Sequence, residues 1–213
     1  TAQPLGDDFT TWDLPRLYRE IDLHFTNALA DGRLKTIPTT DFADLLTKPT
    51  LPEHYRPTLY DFIAHEALGF YSSGEFAAAK PEDAFEVRAS DPLLGPLDKF
   101  LAWQPQTTDT ESPQFKAVRL YQDVLRFHLD DADSSALIDA DILRLLHGKR
   151  IATGDSANDR FVEAMQSLVE REPGPLSAWA RYHWAQTLHA DGDSVEARRV
   201  AIAGRDSFPK SRG

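Results

Sequence analysis

His65 and Glu66 stand side by side in an apolar stretch, and a His-Glu pair on a helix is half of a zinc-protease motif. The other half is a second histidine one turn on, so that two imidazoles share a face. That place is taken by Gly69. The remaining histidines (His24, His54, His128, His147, His183 and His189) are scattered without ligand spacing, and His183 and His189 fall on different sides of a helix. The expected role is therefore that of polar or half-buried side chains, with no metal bound.

Asp130, Asp131, Asp133, Asp139 and Asp141 form an acidic cluster. A calcium loop requires alternating ligands, a glycine at its sixth position and a bidentate glutamate at its twelfth, and neither is present. Asp133 is expected to cap a helix beginning near Ser135, with the other carboxylates solvated. No serine sits in a Gly-x-Ser-x-Gly elbow, and Ser72-Ser73-Gly74 reads as a helix-ending turn. Ala152-Thr153-Gly154-Asp155 lacks the lysine and second glycine of a phosphate loop. Paired carboxylates brought together from distant loops leave no local signature, and nothing in this chain points to them. Trp12, Trp103, Trp179 and Trp184 are expected in cores and interfaces rather than on a sugar-stacking platform. The chemistry-bearing residues thus predict no catalytic residue, no cofactor and no enzyme.

The elements around them are helices. After Asp13, an N-cap followed by Pro15 in the first turn, Leu14, Leu17, Tyr18, Ile21, Phe25, Ala28 and Leu29 make a one-sided stripe that ends at Asp31-Gly32. Pro38, Pro49 and Pro52 interrupt the next stretch, leaving room for a short helix over 42–46. A further helix is expected from Thr58, with Asp61 completing a capping box. It is apolar on two sides, with only Asp61, His65 and Gly69 as a polar strip. Residues 72–112 are irregular, with an extended piece at 85–88 and a short helix over 97–103. Helices follow over 113–129, 135–146 and 157–170. Nothing after residue 113 alternates with period two over a useful length, so the predicted fold is all-α or nearly so.

The clearest local pattern is at the C-terminus, where two helical stretches flank Asp191-Gly192-Asp193. Trp184, Ala185 and Leu188 precede the turn; Ala197, Ala201, Gly204 and Pro209 follow it. These spacings match a tetratricopeptide repeat. Small residues at 185, 197 and 204 let antiparallel helices approach, Gly192 permits the positive φ of the turn, and Pro209 stops the second helix. Ala201 departs from the pattern, since a larger aromatic is usual there, and Trp184 supplies bulk on the other helix. The preceding unit, 136–173, offers only Phe161, Met165, Leu168 and Pro173 in comparable places. The expected architecture is an irregular helical array ending in tetratricopeptide-like pairs. Its division is a proline-punctuated part, 1–112, and a repeat part, 113–213, within one continuous module.

The 213 residues can bury a sizeable core, and 41% of them are hydrophobic. With 34 acidic against 23 basic residues the net charge is -11, a field that repels phosphate backbones and anionic lipid surfaces. No nucleic-acid partner and no membrane insertion are expected, since no apolar run approaches the roughly 20 residues of a membrane helix. The absence of cysteine removes disulfides, thiolate nucleophiles and thiolate zinc sites. A start at Thr1-Ala2-Gln3-Pro4 reads as that of a processed or excised fragment, with any signal or anchor preceding it.

The stretch Tyr55-Arg56-Pro57-Thr58-Leu59-Tyr60-Asp61-Phe62-Ile63-Ala64-His65, continuing to Phe70-Tyr71, resembles the N-terminal region of large bacterial alpha-2-macroglobulin-like proteins of the Bacteroidetes type. Phe127-His128-Leu129 with 136–145 resembles the family's next block. Residues 204–213, with Phe208-Pro209-Lys210-Ser211, resemble the end of its helical region, just before the first β-sandwich. The resemblance implies an exported, periplasmic or cell-envelope protein and a non-catalytic accessory helical module. Its partners would be other domains of the parent protein or an envelope protein. The family's thioester needs a cysteine, which this chain lacks, so no functional residue carries over. The expected function is an interaction or spacer module. Alternatives are a glycan- or peptide-binding helical-repeat lipoprotein module, favoured by tryptophans around an open groove, and an all-α hydrolase or lyase, favoured by acids or histidines converging in a cleft.

Overall fold

A computed structural model describes residues 9–45, 52–73 and 83–211. Among them are eight α-helices and no strand: α1 Leu14–Leu29, α2 Leu59–Ser72, α3 Leu97–Ala102, α4 Pro113–Phe127, α5 Ser135–Ile151, α6 Ala157–Arg171, α7 Leu176–Ala190 and α8 Ser194–Ser207. The all-α expectation holds. The chain forms two compact units, residues 1–82 and 83–213. The second unit takes in residues 83–112, which proline content had grouped with the N-terminal part.

In the first unit, α1 begins where the Asp13 carboxylate accepts the Arg16 N–H at 2.9 Å, with proline in the opening turn. It packs on α2 through Tyr18 and Phe25, whose rings lie 5.9 and 5.7 Å from that of Phe70. Tyr71 of α2 donates to Asp22 at 2.8 Å. No residue of α1 is fully buried, and Leu14, Ile21 and Leu23 of its amphipathic sequence remain exposed. Thr58 caps α2 in a reciprocal capping box: its hydroxyl accepts the Asp61 N–H, while the Asp61 carboxylate accepts the Thr58 N–H at 2.9 Å. Asp61, expected on a polar strip, is fully buried because its carboxylate is consumed by this cap. The expected helix over 42–46 is instead a 3-10 turn, Thr39–Phe42; Leu46 lies outside the described residues, as does Gly74 of the turn after Ser73.

In the second unit the segment before α4 is irregular, as its prolines demand, yet it is firmly held. Arg88 and Thr153 form an isolated parallel bridge, with Ala89 N–H to Thr153 O and Thr153 N–H to Val87 O both at 2.8 Å. A 3-10 turn, Pro92–Leu94, places Leu93 and Leu94 in the core against α5 and α6. The backbone carbonyls of such a segment need partners once buried. Side chains of the following helices supply them. Gln122 of α4, itself buried, donates to the Phe100 and Trp103 carbonyls at 2.8 Å each, and Arg126 donates to Leu101 O at 2.7 Å.

From α4 onward each helix packs on the next in sequence, α4 on α5, α5 on α6, α6 on α7 and α7 on α8, with α5 also reaching α7. The core is built from one residue set per interface, including Val118 and Val124 of α4, Ile142 and Leu145 of α5, and Phe161 and Met165 of α6. Packing dominated by sequence neighbours is the signature of stacked helical units.

Candidate functional site

The polar residues of α5 are its unusual feature. Asp139, Asp141, Arg144 and His147 are all buried. The expectation that Asp139 and Asp141 are solvated is overturned, for an identifiable reason: α5 is covered on several sides, by α4, α6, α7 and the Pro92–Leu94 turn. The N-cap of α5 is Ser134, without a side-chain cap bond; Asp133, expected to cap the helix, stands one position earlier, and its carboxylate accepts the Ser135 N–H at 2.9 Å.

Arg144 is the hinge pin of this helix. Its guanidinium donates to the Asp141 carboxylate at 2.8 Å, and to the Leu93 and Gly95 carbonyls at 2.5 and 3.1 Å. Its charge also lies over the Phe100 ring, 4.8 Å from the centroid. Asp141 is engaged a second time by Arg171 of α6, at 3.5 Å. A single buried carboxylate thereby ties two arginines from two helices. His147, one turn beyond Arg144, lies 5.4 Å from the Tyr121 ring, with Arg150 3.0 Å from its Nδ1. Burial, and secondarily the nearby Arg150 charge, push its pKa down to about 4. Lys149 reaches across to α7, donating to Thr187 Oγ1 at 2.7 Å with its ammonium 5.1 Å from the Phe161 ring centre. Desolvation lowers its pKa, against the opposing pull of Asp191.

A cleft of about 150 Å³ opens beside this network, between α5, α6 and the Leu94–Leu97 segment. Leu94, Pro96, Leu97, Leu145 and Leu168 supply apolar wall, and Ala164 leaves room between them. The polar face of α6 lines the other side with Arg160, Glu163, Ser167 and Arg171, recurring every three or four residues along one stripe. Two carboxyl groups therefore share the cleft, but both oxygens of Asp141 are already taken by guanidinium donors. Arg160 and Glu163 form no ion pair with a described residue, and the Arg160 Nε is shielded from solvent without an acceptor.

The expected repeat residues lie on α7, the connecting turn, α8 and its exit. Trp184 and Ala185 are buried on α7, and Leu188 is half-buried. Gly192 has a φ of +94° in the turn, and Asp193 then caps α8 by accepting the Glu196 N–H at 3.1 Å. Ala197 and Gly204 are buried on α8. A Cβ at Gly204 would lie 3.3 Å from Arg181 Cβ and 3.5 Å from the Ala178 carbonyl, so the two backbones approach closely there. Ala201 and Pro209 are exposed and take no part in that contact. Of the tryptophans, Trp179 and Trp184 are buried, while Trp12 and Trp103 are half-buried. The indole N–H of Trp184 has no acceptor among the described residues.

The cleft was not foreseen from the sequence, although the stripe of Arg160, Glu163, Ser167 and Arg171 at helical spacing was legible as a polar face. Its opposite wall belongs to a proline-broken segment whose path no periodicity encodes. Among the described residues no cluster of three or more histidines or carboxylates is placed to hold a metal, and no helix is long and apolar enough to cross a membrane. Compared with family profiles, curated proteins and solved structures, the chain finds no match in any of the three.

Proposed function

We propose that the chain is a helical docking module of a larger exported, alpha-2-macroglobulin-like polypeptide, acting by protein contact rather than by catalysis. The observation that carries this reading is the succession of sequence-neighbour helix contacts from α4 to α8, closed by the tight α7–α8 hairpin. Stacked helical units expose long surfaces in fixed register, which suits them to holding partners. The resemblance of Tyr55–Tyr71 to the helical region of that family supplies the proposed parent and the envelope location. The tetratricopeptide-like spacing from Trp184 to Pro209 favours the same role. Burial of Trp179 and Trp184 weighs against a groove lined by stacked tryptophans, and so against glycan binding.

Photo-crosslinking in the native cell tests the proposal. A photoreactive side chain replaces Tyr182 or Val195, large apolar residues exposed on α7 and α8, with exposed Glu111 as the control position. The expected result is a discrete product at Tyr182 or Val195, containing either flanking domains of the same polypeptide or one envelope protein. Diffuse labelling equal to that at Glu111 would remove the basis for docking through these helices.

A further inference from the structure

The strongest unassigned feature is the cleft between the Leu94–Leu97 segment, α5 and α6. Its volume, about 150 Å³, is that of a cavity able to take one benzene-sized molecule. Leucines and a proline dominate one wall, and Ala164 lines the cleft on α6. Charge is distributed unevenly around it. Arg144 and Arg171 are both engaged by Asp141, and Arg171 also meets Glu172 at 3.2 Å. Those four groups neutralise one another.

Arg160 is different. It stands half-buried in the first part of α6, its guanidinium makes no hydrogen bond or ion pair to a described residue, and its Nε is cut off from water. Partly desolvated donors of this kind are costly when unpaired. A planar guanidinium takes a carboxylate in a two-pronged arrangement of parallel N–H···O bonds. Glu163, one turn along the same face, also lacks an ion-pair partner among the described residues. Its negative charge penalises a doubly charged anion at Arg160 more than a singly charged one.

We infer that this cleft is a binding site for a small monocarboxylate with a compact branched apolar body, held by Arg160 at its head and by Leu94, Pro96, Leu97, Leu145 and Leu168 along its body. The site is separate from the α7–α8 hairpin and stands whether or not that hairpin docks a partner. Burial of a branched body against those side chains accounts for affinity, and Arg160 selects the charge.

The experiment is a titration of the full chain followed by amide ¹H–¹⁵N spectra, using sodium 3-methylbutanoate, the uncharged 3-methylbutanamide and sodium phosphate as probes. The carboxylate is expected to give saturable shifts confined to α6 and residues 94–97, with the amide at least tenfold weaker and phosphate not saturating. Arg160→Gln, at a half-buried position, is expected to keep the spectrum of the folded chain and to weaken the carboxylate at least tenfold. Ala164→Leu fills the cleft and abolishes the shifts. Equal binding of the amide, saturable phosphate binding, unchanged affinity in Arg160→Gln, or no saturation by the carboxylate would each overturn the assignment.

Discussion

Arg144 of α5 donates to the carbonyl oxygen of Leu93 at 2.5 Å, across 51 positions of sequence. The same guanidinium holds Gly95 O and Asp141, so one buried charge fixes an irregular loop, a helix and, through Arg171, the next helix. Breaking such a group exposes the cost of every partner it leaves behind. Arg144→Ala strands a buried carboxylate and two carbonyls, and is expected to lower unfolding stability by about 3–5 kcal/mol. Urea denaturation checks this; a loss below about 1 kcal/mol would mean that water or Arg171 compensates freely.

Gly148 meets the same loop from the other side. A Cβ there would fall 2.9 Å from Leu94 Cδ2 and 3.1 Å from Leu93 Cγ, so both buried leucines would have to shift. Gly148→Ala is therefore expected to destabilise by about 1–3 kcal/mol despite alanine's better helix propensity. Combining it with Leu94→Ala should cost less than the two singles added, by at least about 0.5 kcal/mol. Strict additivity in a double-mutant cycle would contradict the close approach.

Protonation of His147 gives the account a pH signature. Its folded pKa, about 4, lies below the ordinary 6.5 chiefly because burial disfavours the charged ring. Between those values the unfolded chain binds a proton that the folded chain does not, so stability falls as pH drops from about 6.5 to about 4. The full effect is on the order of 3 kcal/mol. His147→Phe, which keeps the contact with Tyr121, should flatten the stability profile over that window. An unchanged slope in the variant would assign the acid sensitivity elsewhere.

The capping box of α2 predicts a smaller, local effect. Thr58→Ala removes the hydroxyl that accepts the Asp61 N–H and leaves the buried Asp61 carboxylate with one partner fewer. A loss of about 1 kcal/mol is expected, read from faster amide exchange in the first turn of α2. Unaltered exchange at Asp61 and Phe62 would show the cap to be dispensable.

The helix starts were legible because their signals are local. Asp13 and Thr58 each announce a helix by side-chain chemistry within three residues, and each accepts the expected N–H; Asp193, read only as part of a turn, caps α8 in the same way. Gly192 likewise marks its turn by the one backbone state it tolerates best. The polar core of α5 was not legible. Asp139 and Asp141 read as solvated carboxylates, and the partners of Arg144 lie some 50 positions earlier in the chain, where no local pattern points to them. The cleft inherits the same obscurity, since one wall is helical and periodic while the other is fixed only by tertiary hydrogen bonds. In α1 the failure runs the other way: a well-formed apolar stripe leaves Leu14 and Ile21 exposed.

Native-state hydrogen exchange in Val200→Ala is the most direct measurement of whether α4 to α8 form a neighbour-coupled stack. Val200 is buried on α8, and its truncation removes contact within the terminal hairpin. A stack predicts lowered protection in α7 and α8 with α4 and the N-terminal half of α5 unchanged. Uniform loss of protection across all five helices would show a single cooperative core and contradict the stacked architecture on which the docking role rests.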